Sequence, residues 1–208
     1  MNGRSPMTNK SEEALRQLAL GMGVSDARVI DSRRIRVENE LARICKDPGC
    51  PGYGQGANCP PHVMKPETFR QTLEAYPRAL VFKFDVPTEV LLGEERFEVS
   101  RLVHETAAAL ERHALSCGFT AARGLAAGSC KRIFCPDKPA CRVLAGNGEC
   151  RHPDAARPSI SGLGIHFFEL SQTVGWPIHK ITGDSQPDEV PMGLLAGIVL
   201  LTRETPET

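Results

Sequence analysis

Four cysteines, Cys130, Cys135, Cys141 and Cys150, fall within the stretch GSCKRIFCPDKPACRVLAGNGECRHPDAARPS. Their spacing, C-x4-C-x5-C-x8-C, lets one segment present four thiolates. That is the number that closes a tetrahedral zinc site or holds a cubane iron–sulfur cluster. Structural zinc sites favour short paired knuckles, so the longer, uneven intervals favour a 4Fe–4S cluster, with zinc as the alternative metal. Disulfides and unligated buried thiols are the remaining readings of an even count of eight cysteines. Six cationic residues, Lys131, Arg132, Lys138, Arg142, Arg151 and Arg157, face three acidic ones in this stretch. Such a surplus offsets the negative charge of clustered thiolates.

A second group lies upstream in CKDPGCPGYGQGANCPPH: Cys45, Cys50 and Cys59. Three protein ligands with one position open is how a metal centre admits water or a substrate, which makes this loop the candidate reactive site. Its fourth ligand is His62, Cys117 or an external molecule. Cys117, alone at the end of a helix pattern, reads first as a small core residue. Proline follows Cys50, Cys59 and Cys135, which fixes φ and keeps the segments from becoming helical. Gly52, Gly54 and Gly56 around Tyr53 suit close approach of backbone to a cluster, and equally suit turns. His152, His166 and His179 read as surface or core histidines, and Arg157 either packs on the second loop or caps a helix with Ser159.

The elements that must position these loops follow from periodicity. Ser11 to Met22 reads as a helix with Leu15, Leu18 and Met22 on one side. RRIRV, Arg33 to Val37, reads as a half-exposed strand, and Ala79 to Val86 as a buried one. KPETFRQTLEAY places Phe69, Leu73 and Tyr76 on one helical face, and Phe97 to Cys117 is the clearest helix, closed by Gly118. FTAARGLA is a strand that feeds the chain into the second cysteine loop. Beyond it, a helix from Pro158 shares a face among Ile160, Leu163, Phe167, Leu170 and Val174, with Gly162 and Gly164 as breaks; WPIHKIT and GLLAGIVLLT read as closing strands.

These elements make one α+β domain over residues 1–208, with a mixed or antiparallel sheet, packed helices and two Cys-rich loops. Within it, residues 1–42 form an N-terminal helix and strand, 43–202 the two-loop cysteine domain, and 203–208 a tail. Lys+Arg and Asp+Glu both number 25, which lacks the basic field of a nucleic-acid binder. No apolar run is long enough to span a membrane and the start lacks a signal-peptide core, so the expected setting is cytoplasmic, without nucleic-acid or membrane partners. Walker, Rossmann, nucleophile-elbow and H-E-x-x-H motifs are missing.

The loop Cys…Cys-Pro-x-Tyr-Gly…Cys-Pro-Pro, followed by Gly-x-Cys…Cys-Arg-His-Pro…Ala-Arg-Pro-Ser and Gly-Ile, resembles a prokaryotic domain family of unknown function described as predicted metal-binding proteins. The resemblance runs roughly from Arg43 to Leu201. It implies metal binding by Cys45, Cys50, Cys59, Cys130, Cys135, Cys141 and Cys150, with no reaction attached. The expected function is electron transfer or small-molecule redox chemistry at the three-cysteine cluster, with a redox partner protein or a small-molecule ligand. A zinc-stabilised adaptor or a metal-delivery accessory protein is the alternative.

Overall fold

The computed structural model describes residues 6–204. The first five residues of the expected N-terminal segment 1–42 and the last four of the 203–208 tail lie outside them. Seven α-helices surround a four-stranded sheet in the described residues: α1 Pro6–Gly21, α2 Asn39–Arg43, α3 Pro66–Glu74, α4 Thr88–Leu92, α5 Arg96–Ser116, α6 Cys130–Phe134 and α7 Phe167–Thr173. The strands are β1 Asp26–Asp31, β2 Arg78–Pro87, β3 Ala121–Ala126 and β4 Met192–Thr202, in the spatial order β1-β2-β4-β3. Every pairing is antiparallel. Among the described residues no helix is long and apolar enough to cross a membrane.

This order explains the sequence of β4. Strands β2 and β3 run the same way and flank a slot that only the last strand fills, so β4 is hydrogen-bonded on both edges. Both faces of the sheet are also covered, so its inner strands read as continuous apolar runs instead of an alternation. Along β2, Leu80 and Phe82 face a core shared with Leu15 and Ala19 of α1 and Val103 and Leu110 of α5. Their neighbours Ala79 and Val81 face the other core, built with Phe69 and Leu73 of α3, Leu170 of α7 and Trp176.

Gly197 on β4 stands opposite Phe82 on β2. A Cβ added there would overlap the Phe82 ring, meeting Cζ and, at 2.6 Å, Cε1. Phe82 is fully buried and cannot yield. Gly197→Ala is therefore expected to cost about 1–3 kcal/mol, read as a lower urea midpoint at unchanged m-value.

Three sequence expectations are corrected. The strand expected within RRIRV lies instead at Asp26–Asp31, where six residues pair with β2. The Asp31 side chain then accepts from the Arg33 amide at 3.0 Å, and residues 32–34 turn away as a short 3-10 helix. Val37 makes only an isolated bridge to Ile165. The helix expected from Pro158 forms only at Phe167–Thr173. Gly164 takes φ +76°, outside the helical region, and the His166 amide donates to Arg36 O at 2.8 Å instead of to the Gly162 carbonyl that a continuous helix would offer it. WPIHKIT forms no strand, since β2 and β3 already occupy both edges of β4. Trp176 instead caps a core, its Nε1 donating to Asp26 Oδ2 at 2.8 Å.

Candidate metal centre

The cysteine loops are held by β3 and by the irregular segment 159–165. Strand β3 ends at Ala126, and Ser129 heads the short helix α6 that begins with Cys130. Contrary to the expectation of a wholly non-helical loop, Cys130–Phe134 is helical, because proline enters only at Pro136. Cys45–Gly49 likewise forms one wide helical turn, with Asp47 departing from helical φ/ψ ahead of Pro48.

Helix α6 brings the second-loop thiols together. Cys130, Cys135, Cys141 and Cys150 line one small cavity with Lys131, Phe134 and Arg151. Phe134 beneath them stacks on His152 at 5.3 Å and meets the His104 ring edge-on at 5.5 Å. The amide of His152 donates to Cys150 Sγ at 3.4 Å. Lys131 is buried, its Nζ donating to the Cys135 carbonyl at 2.6 Å.

The two loops pack on each other. A Cβ on Gly52 would lie 2.6 Å from Ser129 Cβ and 3.7 Å from Cys50 Sγ, and one on Gly56 would lie 3.5 Å from Cys130 Sγ. These glycines are therefore close-approach positions, the use that sequence left open beside a turn role. Asn58 lies beside the Cys130 sulfur and favours its thiolate, while its carbonyl accepts from the Ser159 amide at 3.0 Å. Cys59 is buried beside Ser129. Cys45 and Cys50 line a neighbouring cavity of about 410 Å³ with Leu41, Ile44, Ile165 and Phe167.

Electrostatics separate the thiols. Burial pushes Cys130 up to about 12, reinforced by Cys59 and Cys150 and opposed by Asn58. Burial also raises Cys59 and Cys45, each pushed further by first-loop thiols. Burial acts against the Cys141 thiolate too, but amides from Leu144, Ala57 and Val143 and the Arg151 charge outweigh it, so its pKa is lowered. In metal-free protein, Cys141 should consume iodoacetamide at a lower pH than Cys130, since the thiolate is the nucleophile. Peptide mapping by mass spectrometry across a pH series checks this; equal labelling at every pH contradicts it.

A metal centre held by thiolates fits these residues. All eight cysteines are free. The Ser129 hydroxyl, buried between the loops with no hydrogen-bond partner of adequate geometry, stands beside the Cys59 sulfur, which as a metal-bound thiolate would accept from it. The thiols share cavities without being drawn to one point: among the described residues, no three His, Cys, Asp or Glu side chains converge as the ligands of a single ion.

A family model described as "predicted metal-binding protein", DUF2284, matches residues 28–201, from β1 through both cysteine loops to β4. The chain belongs to this family. No curated protein and no solved structure matches it. The DUF2284 match takes in all or most of every strand and both cysteine loops, and leaves out α1.

The other candidates divide in this DUF2284 chain. His62 is exposed beside the first loop, its amide donating to Cys59 O at 2.9 Å. Tyr53 is half-buried, its amide donating to Cys50 O at 2.9 Å. Cys117 packs against the core of α1 and α5 and lines neither cysteine cavity. His166 caps α7, its Nδ1 accepting from the Glu169 amide at 3.2 Å. His179 is exposed at the mouth of a third cavity. Arg157 packs under the second loop, donating to Glu111 at 2.8 Å. Sequence reasoning missed Ser129, Asn58, the buried His104 and the half-buried Glu111, the last two both partners of Arg157. The last two are polar residues spaced along a helix, which reads the same whether that face meets solvent or a loop.

Proposed function

We propose that this DUF2284 protein is a cytoplasmic iron–sulfur protein whose second loop holds a cluster and whose first loop is the reactive three-cysteine site. One observation carries the reading: four thiols line one cavity, and the loop bearing the other three packs directly on it through Cys59 and Cys130. A cluster bound there would supply one-electron transfer. The chain's own part is to hold and tune. Lys131, Arg142 and Arg151 line the four-thiol cavity without an acidic residue among its lining groups, which favours a negatively charged centre. The amides of Gly52 and His152 donate to the Cys50 and Cys150 sulfurs, the kind of contact by which a protein sets a cluster's potential. Cys50 is exposed beside the 410 Å³ cavity, open to a small-molecule ligand or a redox partner protein. Eight free thiols suit a reducing compartment. The test is iron, acid-labile sulfide and zinc per chain on protein purified without oxygen, with a visible spectrum of the same sample. Several irons with matching sulfide support the reading; zinc without sulfide overturns it.

A further inference from the structure

A cavity of about 640 Å³ opens between the end of α4, the first turns of α5, the start of β4 and residues 178–183. Its size falls in the range of small-molecule sites. Aliphatic side chains make most of its wall, including Leu91, Ile160, Ile178, Ile181 and Leu194. The charge-bearing side chains on that wall are Arg96 and His179, and no aspartate or glutamate lines it. Arg96 is pinned in place: Nη1 donates to the Leu92 and Gly93 carbonyls at 3.1 and 2.5 Å, and the guanidinium lies over the Phe97 ring at 4.6 Å. Its Nη2 approaches only the exposed Glu94 carboxylate, at 3.7 Å, and makes no hydrogen bond among the described residues. Ser161 and Phe167 line both this cavity and the one that holds Cys45 and Cys50.

We propose that this cavity binds a small apolar carboxylate. The hydrocarbon body lies against the aliphatic wall, where removal from water drives binding. The carboxylate meets Arg96, whose planar fork matches two oxygens and whose fixed geometry leaves little to order on binding. The shared wall at Ser161 and Phe167 puts the far end of such a molecule beside the first-loop thiols. Binding depends on the cavity alone; a role as substrate of the three-cysteine site rests on the redox reading above.

The test uses full-length protein prepared without oxygen, titrated calorimetrically with octanoate, 1-octanol and octylamine, with iron and sulfide measured on the same samples. Octanoate should bind roughly tenfold or more tighter than octylamine, and Arg96→Gln should erase its advantage over octanol while octanol binding persists. Ala196→Leu fills the cavity from β4 and should abolish binding of all three. Because Ala196 is buried, Ser161→Trp at an exposed position serves as an independent blocking variant. Octanoate binding no tighter than octylamine, or binding that survives both blocking variants, overturns the proposal. Selective binding by iron-free protein would sink the redox reading and leave this one standing; iron and sulfide without binding would do the reverse.

Discussion

Cys59→Ala protein should keep the metal of the second loop and lose that of the first. Cys59 is buried, with 5% of its surface exposed, close enough to Cys45, Cys50 and Ser129 for their electrostatics to shift one another. Alanine removes the deepest first-loop thiol and leaves two more exposed ones, too few to hold the proposed centre. The second loop keeps all four of its thiols. Cys141→Ala should give the mirror result, emptying the second loop alone. Metal per chain, measured beside wild type, reads both: each variant should hold only the other loop's share. Loss of neither share in either variant would refute two centres, and loss of both in each would show one centre shared across the loops. Gly52→Ala should lower both shares at once, because its Cβ would fall 2.6 Å from Ser129 Cβ and 2.7 Å from Ser129 Oγ. That contact cannot relax by a side-chain rotation alone, since Cβ is fixed to the backbone that begins α6.

Arg157→Ala should be the most destabilising change outside the sheet. The guanidinium is about nine-tenths buried and ties its own loop to α5: Nε donates to Glu111 on α5 at 2.8 Å, and Nη1 to the Pro153 and Ala156 carbonyls of the loop, each at 3.0 Å. Glu111 also accepts from the Gly124 amide of β3. Alanine leaves that carboxylate without its counter-charge and two carbonyls without their donor. Breaking a largely buried pair in this way costs about 3–5 kcal/mol. Chemical denaturation should show it, and Arg157→Lys should recover little, because an ammonium cannot reproduce the fork. A loss below about 1 kcal/mol would place the pair among screened surface bridges.

The same network predicts an acid-sensitive fold. The Arg157 amide donates to His104 Nδ1 at 3.0 Å, so that nitrogen is the acceptor of a neutral ring. Burial first, then the Arg157 charge, lower His104 from 6.5 to about 4, against the opposing effect of the Ala127 backbone. Between those values the unfolded chain binds a proton that the folded protein does not. Stability is therefore complete above about pH 6.5 and declines as the pH falls towards 4, by roughly 3 kcal/mol. Urea midpoints at pH 7 and pH 4.5 measure the decline. Removing the Arg157 charge should narrow that window.

Local pattern alone determined much of this protein. The helices at Arg96–Ser116 and Pro66–Glu74, and the strands at Arg78–Pro87, Ala121–Ala126 and Met192–Thr202, follow from side-chain spacing and from the residues that close each element. The division of seven cysteines into groups of four and three, and the surplus of cations around the four, are likewise visible along the chain. Tertiary structure decided the rest. Whether Arg34–Val37 or Asp26–Asp31 became the edge strand depended on which segment β2 could pair with, and 176–182 lost its strand because β4 had no free edge. Gly52 against Ser129, Cys59 beside Cys130 and Arg157 upon Glu111 join residues some fifty to eighty positions apart. Their contact depends on how whole elements pack, and periodicity carries no information at that separation. The grouping of the thiols within each loop is thus a local fact, whereas the packing of the two loops on each other is a property of the folded chain.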